Sequence, residues 1–218
     1  MFIGHFGVGF ASKRFAPRVP LALLLVAALV PDILGPVFSL LGWEHVRIAP
    51  GNTRFTPLDL YDYPWSHSLL MTIAWATLLA LLYWFWQSDR FGSLVIWFGA
   101  ASHWVLDWIT HRPDLPLYPG AQGRYGLGLW NSIPGTMFLE LTIFGVGVWM
   151  YVHGTRPRDW IGKYIFLAYV LILLLLYVAI PFSSPPQSVR QLNYTSIVLT
   201  VILLAWASWF DARRDMAH

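Results

Sequence analysis

The chain has 218 residues, 57% of them hydrophobic and 11% charged, whereas a soluble domain carries about 25% charge. The mean hydropathy of +0.55, with 13 Trp and 10 Tyr, suits a membrane protein with aromatic belts at both interfaces. The net charge of +3 is dispersed with no basic run suited to nucleic acid, and the absence of Cys excludes both a disulfide framework and a thiolate metal site.

Residues 1–12 are apolar but too short to span a bilayer. Lys13, Arg14 and Arg18 follow this stretch instead of preceding it, and no small-residue cleavage site is clear, so it is not read as a signal peptide. A partly buried half-helix carrying His5 is expected. A first span covers about 20–42, interrupted at Pro31-Asp32 and at Gly35-Pro36; broken helices are tolerated at membrane depth where they line a cavity. Residues 43–65 read as a polar loop. The second span, about 66–87, opens with Trp65-Ser66-His67-Ser68, and Asp89-Arg90 makes a tight turn into a third, about 91–110. Residues 112–132 are rich in Pro and Gly and read as irregular. The fourth span, about 133–152, contains Glu140. A basic stretch, an almost purely aliphatic fifth span (160–182), a Ser-Ser-Pro-Pro turn and a sixth span (191–210) complete the chain.

Segments of this length match a hydrocarbon core of about 30 Å. The chain therefore reads as an all-α, polytopic membrane helix bundle of about six transmembrane helices plus the N-terminal half-helix. It forms one domain over 1–218, with a core of 1–152 and two additional spans in 153–218. With residues 13–18 and the C-terminus cytoplasmic, nine Lys and Arg lie inside and five outside, as the positive-inside rule requires.

His103, Asp107 and His111 recur at i, i+4 and i+8 of the third span, on one face with a drift of about 40° per step. Intramembrane ionisable residues face inward and generally serve a function. Counting along the spans brings His5, Asp32, His67, His103, Asp107 and Glu140 from mid-membrane to the outer half, with His111 at the outer helix end. Without Cys, a metal there must be held by His, Asp, Glu or backbone oxygen, which favours zinc, manganese or magnesium. Asp107 is placed to bridge two cations beside His103, and Asp32 either ligates or accepts a proton from an attacking water; these two are the candidate catalytic residues. The simpler readings are a His103–Asp107 staple between helices, a capping role for Asp32, an ion pair for Glu140, and interfacial positions for His5, His67 and His111. Arg112 and Arg124 suit a phosphate, and Asn131 suits substrate orientation or a helix cap. His45, His153 and His218 read as surface or interface residues.

Gly4-His5, Pro31-Asp32, Trp65-Ser66-His67-Ser68 and Ser102-His103-x-x-x-Asp107, in this order over roughly residues 1–150, resemble the YdjM-like group of bacterial inner-membrane metal-dependent hydrolases. The resemblance implies an inner-membrane location and a divalent metal cofactor. That group's usual Arg-Gly before Thr-His-Ser is replaced here by Tyr63-Pro64-Trp65 before Ser66-His67-Ser68. In ligand order the chain is also distantly similar to the zinc-dependent phospholipase C and single-strand nuclease superfamily. That likeness implies His5, Asp32, His67, His103, Asp107, His111 and Glu140 as metal ligands, with Thr136 in place of the last His. The α-amino ligand of the secreted enzymes is not expected here, because Met1 begins the chain. One or two ions, zinc first, are expected instead of three.

These readings lead to a metal-dependent hydrolase, phosphodiesterase- or phospholipase-like, acting on a phosphoester or ester. Its substrate is a small phosphoester or a lipid reached sideways through the membrane. The alternative is a transporter or a proton or metal-ion relay, although the inner halves of the spans look apolar; a third reading is a non-catalytic protein with a structural metal. No His-Glu-x-x-His occurs to indicate a zinc protease.

Overall fold

The computed structural model describes residues 1–217; His218 lies outside them. The described residues form eight α-helices and three short antiparallel ribbons. In chain order the helices are α1 (Ile3–Phe15), α2 (Leu21–Leu40), α3 (Pro64–His67), α4 (Leu69–Gln87), α5 (Arg90–Thr110), α6 (Ile133–Gly154), α7 (Phe166–Ala179) and α8 (Val189–Asp211). The strands are β1 (His45–Ile48), β2 (Leu58–Asp62), β3 (Leu115–Pro116), β4 (Arg124–Tyr125), β5 (Thr155–Pro157) and β6 (Arg214–Met216). Five helical stretches are long and apolar enough to cross a membrane: α2, α4, α6, the stretch Ile161–Phe182 that contains α7, and α8. α5 has 21 residues, long enough to accompany them. It is less apolar because it carries the His–Asp stripe.

Helix starts follow capping chemistry. Ser68, Asp89, Ser132 and Ser188 each accept a backbone N–H three residues on, at 2.9–3.3 Å, satisfying amides that a helix start leaves free. Ser132, not Asn131, caps α6. The α4–α5 turn closes through Ser88 in the left-handed conformation (φ 54°).

α1 is more central than its sequence suggests. It is buried along most of its length and wrapped by α2, α5 and α6. Small residues make this possible, because without a hydrophobic drive between helices in lipid, close backbone approach provides the packing. A Cβ built on Gly147 of α6 would lie 2.0 Å from Gly7 O, and one on Gly7 would meet Ile143 O at 2.6 Å. Gly147→Leu must therefore push α1 off α6. We expect loss of more than the usual overpacking cost of about 1–3 kcal/mol, read as a sharp drop in detergent-solubilised melting temperature. An unchanged melting temperature would refute this contact.

Two apolar clusters fill the bundle. In one, Phe10 packs edge-to-face on Phe144, Tyr151, Phe166 and Tyr169 with centroids 5.2–6.1 Å apart, joining α1, α6 and α7. In the other, Ala27, Ala76, Ala80 and Ala100 bring α2, α4 and α5 together. At the end away from the site, Lys13 donates to Asp211 at 3.0 Å and Asp211 also accepts from Leu21 N and Tyr151 Oη. The β5–β6 ribbon ties the end of α6 to the segment after α8.

Two expectations are corrected. α2 is unbroken through Pro31 and Pro36: each proline removes one N–H from the ladder, and neighbouring helices support the remainder. Residues 43–65 are not simply a loop, since β1 and β2 form a ribbon with Arg47 opposite Asp59 and His45 opposite Asp62.

Candidate metal centre

Four elements bring their ionisable side chains to one place. α1 supplies His5, α2 Asp32, α3 His67, and α5 His103 and Asp107, with His111 as the residue that ends α5. Asp107 is the hub and is fully buried. Its Oδ1 lies 3.0 Å from His5 Nε2 and accepts from the Met1 α-amino group. Its Oδ2 lies 3.1 Å from His103 Nε2, 3.7 Å from His111 Nε2 and 3.9 Å from His67 Nε2. Asp32 sits across the cluster, 3.4 Å from His67 Nε2 and 3.8 Å from His103 Nε2. The His5 and His103 rings stack at 3.8 Å.

Each of three imidazoles has its Nδ1 engaged by an acceptor, which turns Nε2 inward. His103 Nδ1 faces the Ala28 carbonyl at 2.9 Å. His111 Nδ1 faces Asp114 at 3.0 Å. His67 Nδ1 faces Ser66 Oγ at 2.6 Å, and Ser66 itself donates to Glu44 Oε2 at 2.6 Å while Glu44 Oε1 accepts Ser66 N–H at 2.7 Å. Tyr63 donates to Asp114 at 2.6 Å; burial and the Asp114 carboxylate hold its phenol well above the usual range, so it remains a donor. Such supports fix the tautomer and orientation of metal-binding imidazoles.

The donor set fits a divalent cation. His103 Nε2 and Asp107 Oδ2 are buried 3.1 Å apart without a hydrogen-bond partner among the described residues, a costly state for polar groups unless something else satisfies them. Donor atoms of His5, His103 and Asp107 lie within 4.8 Å of one another, as do those of Asp32, His67 and His103. Nitrogen and oxygen donors without thiolate suit zinc or manganese. With its Nδ1 engaged, His103 offers one nitrogen and can serve only one of these groups at a time. Asp107, touching partners on both oxygens, is the residue that can join them.

The remaining sequence candidates are placed as follows. Glu140 Oε2 accepts Phe2 N–H at 2.8 Å and Gly4 N–H at 3.2 Å, so it holds the first turn of α1 beside Met1 and stands outside both donor groups. Thr136 donates to Leu129 O. Arg112 pairs with Asp59 and, at 3.4 Å, with Asp114. Arg124 donates to Ala121 O, and Asn131 is exposed on the short turn before α6. Arg112, Arg124 and Asn131 do not line the cavity that reaches the cluster. His45 is exposed and pairs with Asp62 at 2.8 Å; His153 is exposed and faces Trp149 O. Sequence reasoning missed Glu44, Ser66, Tyr63 and Asp114. The Met1 α-amino group, not expected from the sequence as a ligand, lies within the cluster and donates to Asp107.

The fold and site thus define a polytopic helical membrane protein with a His–Asp cluster buried between its helices. The model of the YdjM inner membrane protein family matches residues 1–184, and the chain belongs to that family and is an inner-membrane protein. No curated protein and no solved structure matches the chain.

Proposed function

We propose that the protein is a metal-dependent hydrolase of phosphoesters or esters, holding one or two divalent cations, zinc first, with the N-terminal basic turn and the C-terminus on the cytoplasmic side. In that orientation the site lies in the outer half of the membrane. The observation that carries the reading is Asp107 encircled by inward-turned imidazoles, next to an Asp32 that is open to a cavity. Asp107's side chain is 1% exposed and Asp32's 39%. One carboxylate is thus built for structure and the other for contact with a substrate.

A bound cation supplies Lewis acidity and makes a water more acidic. The chain's own residues do the rest. His5, His67, His103, His111 and Asp107 would hold the ion or ions. Asp32 accepts the proton of the attacking water at its cavity-facing oxygen and passes it to the leaving group. On α1, α2 and α5 the buried residues next beyond the cluster include the apolar Phe10, Leu25 and Ile96, which separate it from the polar Ser12, Lys13 and Ser93 at the far end; this weighs against a transporter or a proton relay.

Purified protein in mild detergent is expected to contain one to two equivalents of zinc or manganese. His103→Ala should lose at least one of them, together with turnover of a chromogenic phosphodiester or ester. A wild-type protein that stays free of metal after incubation with both ions would overturn the reading.

A further inference from the structure

The cluster opens into a cavity of about 640 Å³, within the range of small-molecule sites. Asp32, His67 and His111 stand at one end. The rest is largely apolar and lies between α2, α8 and the β1–β2 segment, with Leu29, Leu199 and Leu203 among its walls, Phe6 on the α1 side and Val46, Phe55 and Leu58 from the β1–β2 segment. The α8 wall runs from Leu192 to Leu203, about 17 Å of helix at 1.5 Å per residue. Leu176 and Ala179 of α7, Ser183 and Ser184 beyond it, His45 of β1 and Thr195 of α8 line the cavity and are exposed, so the opening runs from the gap between α7 and α8 to the turn that joins them. Those helices are among the apolar candidate spans, so the part of the opening between them faces lipid. Asn193 Nδ2 donates to Ser39 Oγ at 2.9 Å, fastening α8 to α2 beside the opening. α8 lies beyond the stretch matched by the family model, which ends at residue 184.

A narrow apolar cleft that opens on hydrocarbon and ends on carboxylates and imidazoles matches a molecule with the same polarity gradient. We propose that it holds the alkyl or acyl tail of an amphiphilic ester or phosphoester, which enters sideways between α7 and α8, with α8 setting the tail that fits. The head then lies at Asp32 and His67. The assignment of the head as the group cleaved rests on the hydrolase reading, whereas seating of the tail does not.

The test uses dodecyl phosphate carrying a diazirine at its tail end, added to the full chain in nanodiscs of phosphatidylethanolamine and phosphatidylglycerol. Labelled residues are mapped by mass spectrometry after irradiation. Label is expected on α8 between Leu199 and Leu203 and on the facing part of α2. Thr195→Trp, an exposed position at the mouth, should cut this label by about tenfold, equivalent to about 1.4 kcal/mol, without changing label on the outward-facing Phe85 and Leu175. A second variant, Leu203→Ala, should move label deeper along α8. Label confined to outward-facing residues, or equal in wild type and Thr195→Trp, would overturn the proposal. Asp107→Asn separates the two readings. Loss of metal and turnover with cleft label retained supports the tail site by itself. Metal-dependent turnover of a short-chain ester with no cleft label leaves the hydrolase standing and removes the tail site.

Discussion

Asp107→Asn is expected to abolish both metal binding and all metal-dependent turnover. The substitution is nearly isosteric, so the packing around α5 is kept and the change is one of charge and donor type. Asp107 faces His5 and the Met1 α-amino group on Oδ1 and three further imidazoles on Oδ2. An amide offers one oxygen for these partners and sets an NH2 group against the rest. It also takes from the buried α-amino group the carboxylate that it donates to, and removing one partner of a buried pair costs about 3–5 kcal/mol. A fall in stability alone would therefore not identify a metal site, but its response to a chelator would. A cation held at 100 times its Kd stabilises the folded state by about 2.7 kcal/mol. Chelation should lower the melting temperature of the wild type and leave that of Asp107→Asn unchanged. A variant that still carries a full complement of metal, or a wild type indifferent to chelation and to added zinc, would dismiss Asp107 as the hub.

The part of this site that was legible in the sequence was the part written in helical spacing. His103, Asp107 and His111 share a face because four residues approximate one turn, and the structure sets all three imidazole and carboxylate groups toward one centre. Asp32 and His5 could be added by depth alone, since a membrane fixes where a residue on a span must lie. What failed was the chain between spans. Glu44 reaches Ser66 across 22 residues, and that contact depends on the β1–β2 ribbon. The alternation in His45-Val46-Arg47-Ile48 and in Leu58-Asp59-Leu60 carried a strand signal, masked by the general polarity of the segment. The same ribbon explains Arg112, which suited a phosphate in isolation. β2 instead presents Asp59 to both Arg112 and Arg47, and a guanidinium already paired has less to offer an anion. The two prolines of α2 misled for a related reason: a helix break follows from Pro in water, but in a membrane bundle the alternative to a strained helix is unsatisfied backbone in hydrocarbon.

The second large effect is expected from Glu44 and Ser66, which line the cavity beside His67 and reach the cluster through it. Glu44 is 2% exposed and, as a carboxylate, can only accept. Ser66 must therefore donate its hydroxyl proton to Glu44 and accept from His67 Nδ1, which leaves His67 Nε2 bare toward Asp32. Glu44→Gln reverses this chain of donors. The amide NH2 in place of Oε2 donates to Ser66, the Ser66 hydroxyl turns to donate to His67 Nδ1, and the proton moves to Nε2, where it blocks metal binding and repositions Asp32. Ser66→Ala removes the acceptor altogether, whereas Ser66→Thr keeps it. Loss of such outer partners costs about 10–100-fold in metal affinity or activity, so Glu44→Gln and Ser66→Ala should each fall by that factor and Ser66→Thr should recover most of it. The readout that a merely structural role would not move is the nitrogen-15 spectrum of His67 in metal-free protein. It should report the Nδ1–H form in wild type and Ser66→Thr and the Nε2–H form in Glu44→Gln. The same tautomer in wild type and Glu44→Gln, with metal affinity unchanged, would show that His67 is held by something other than this relay.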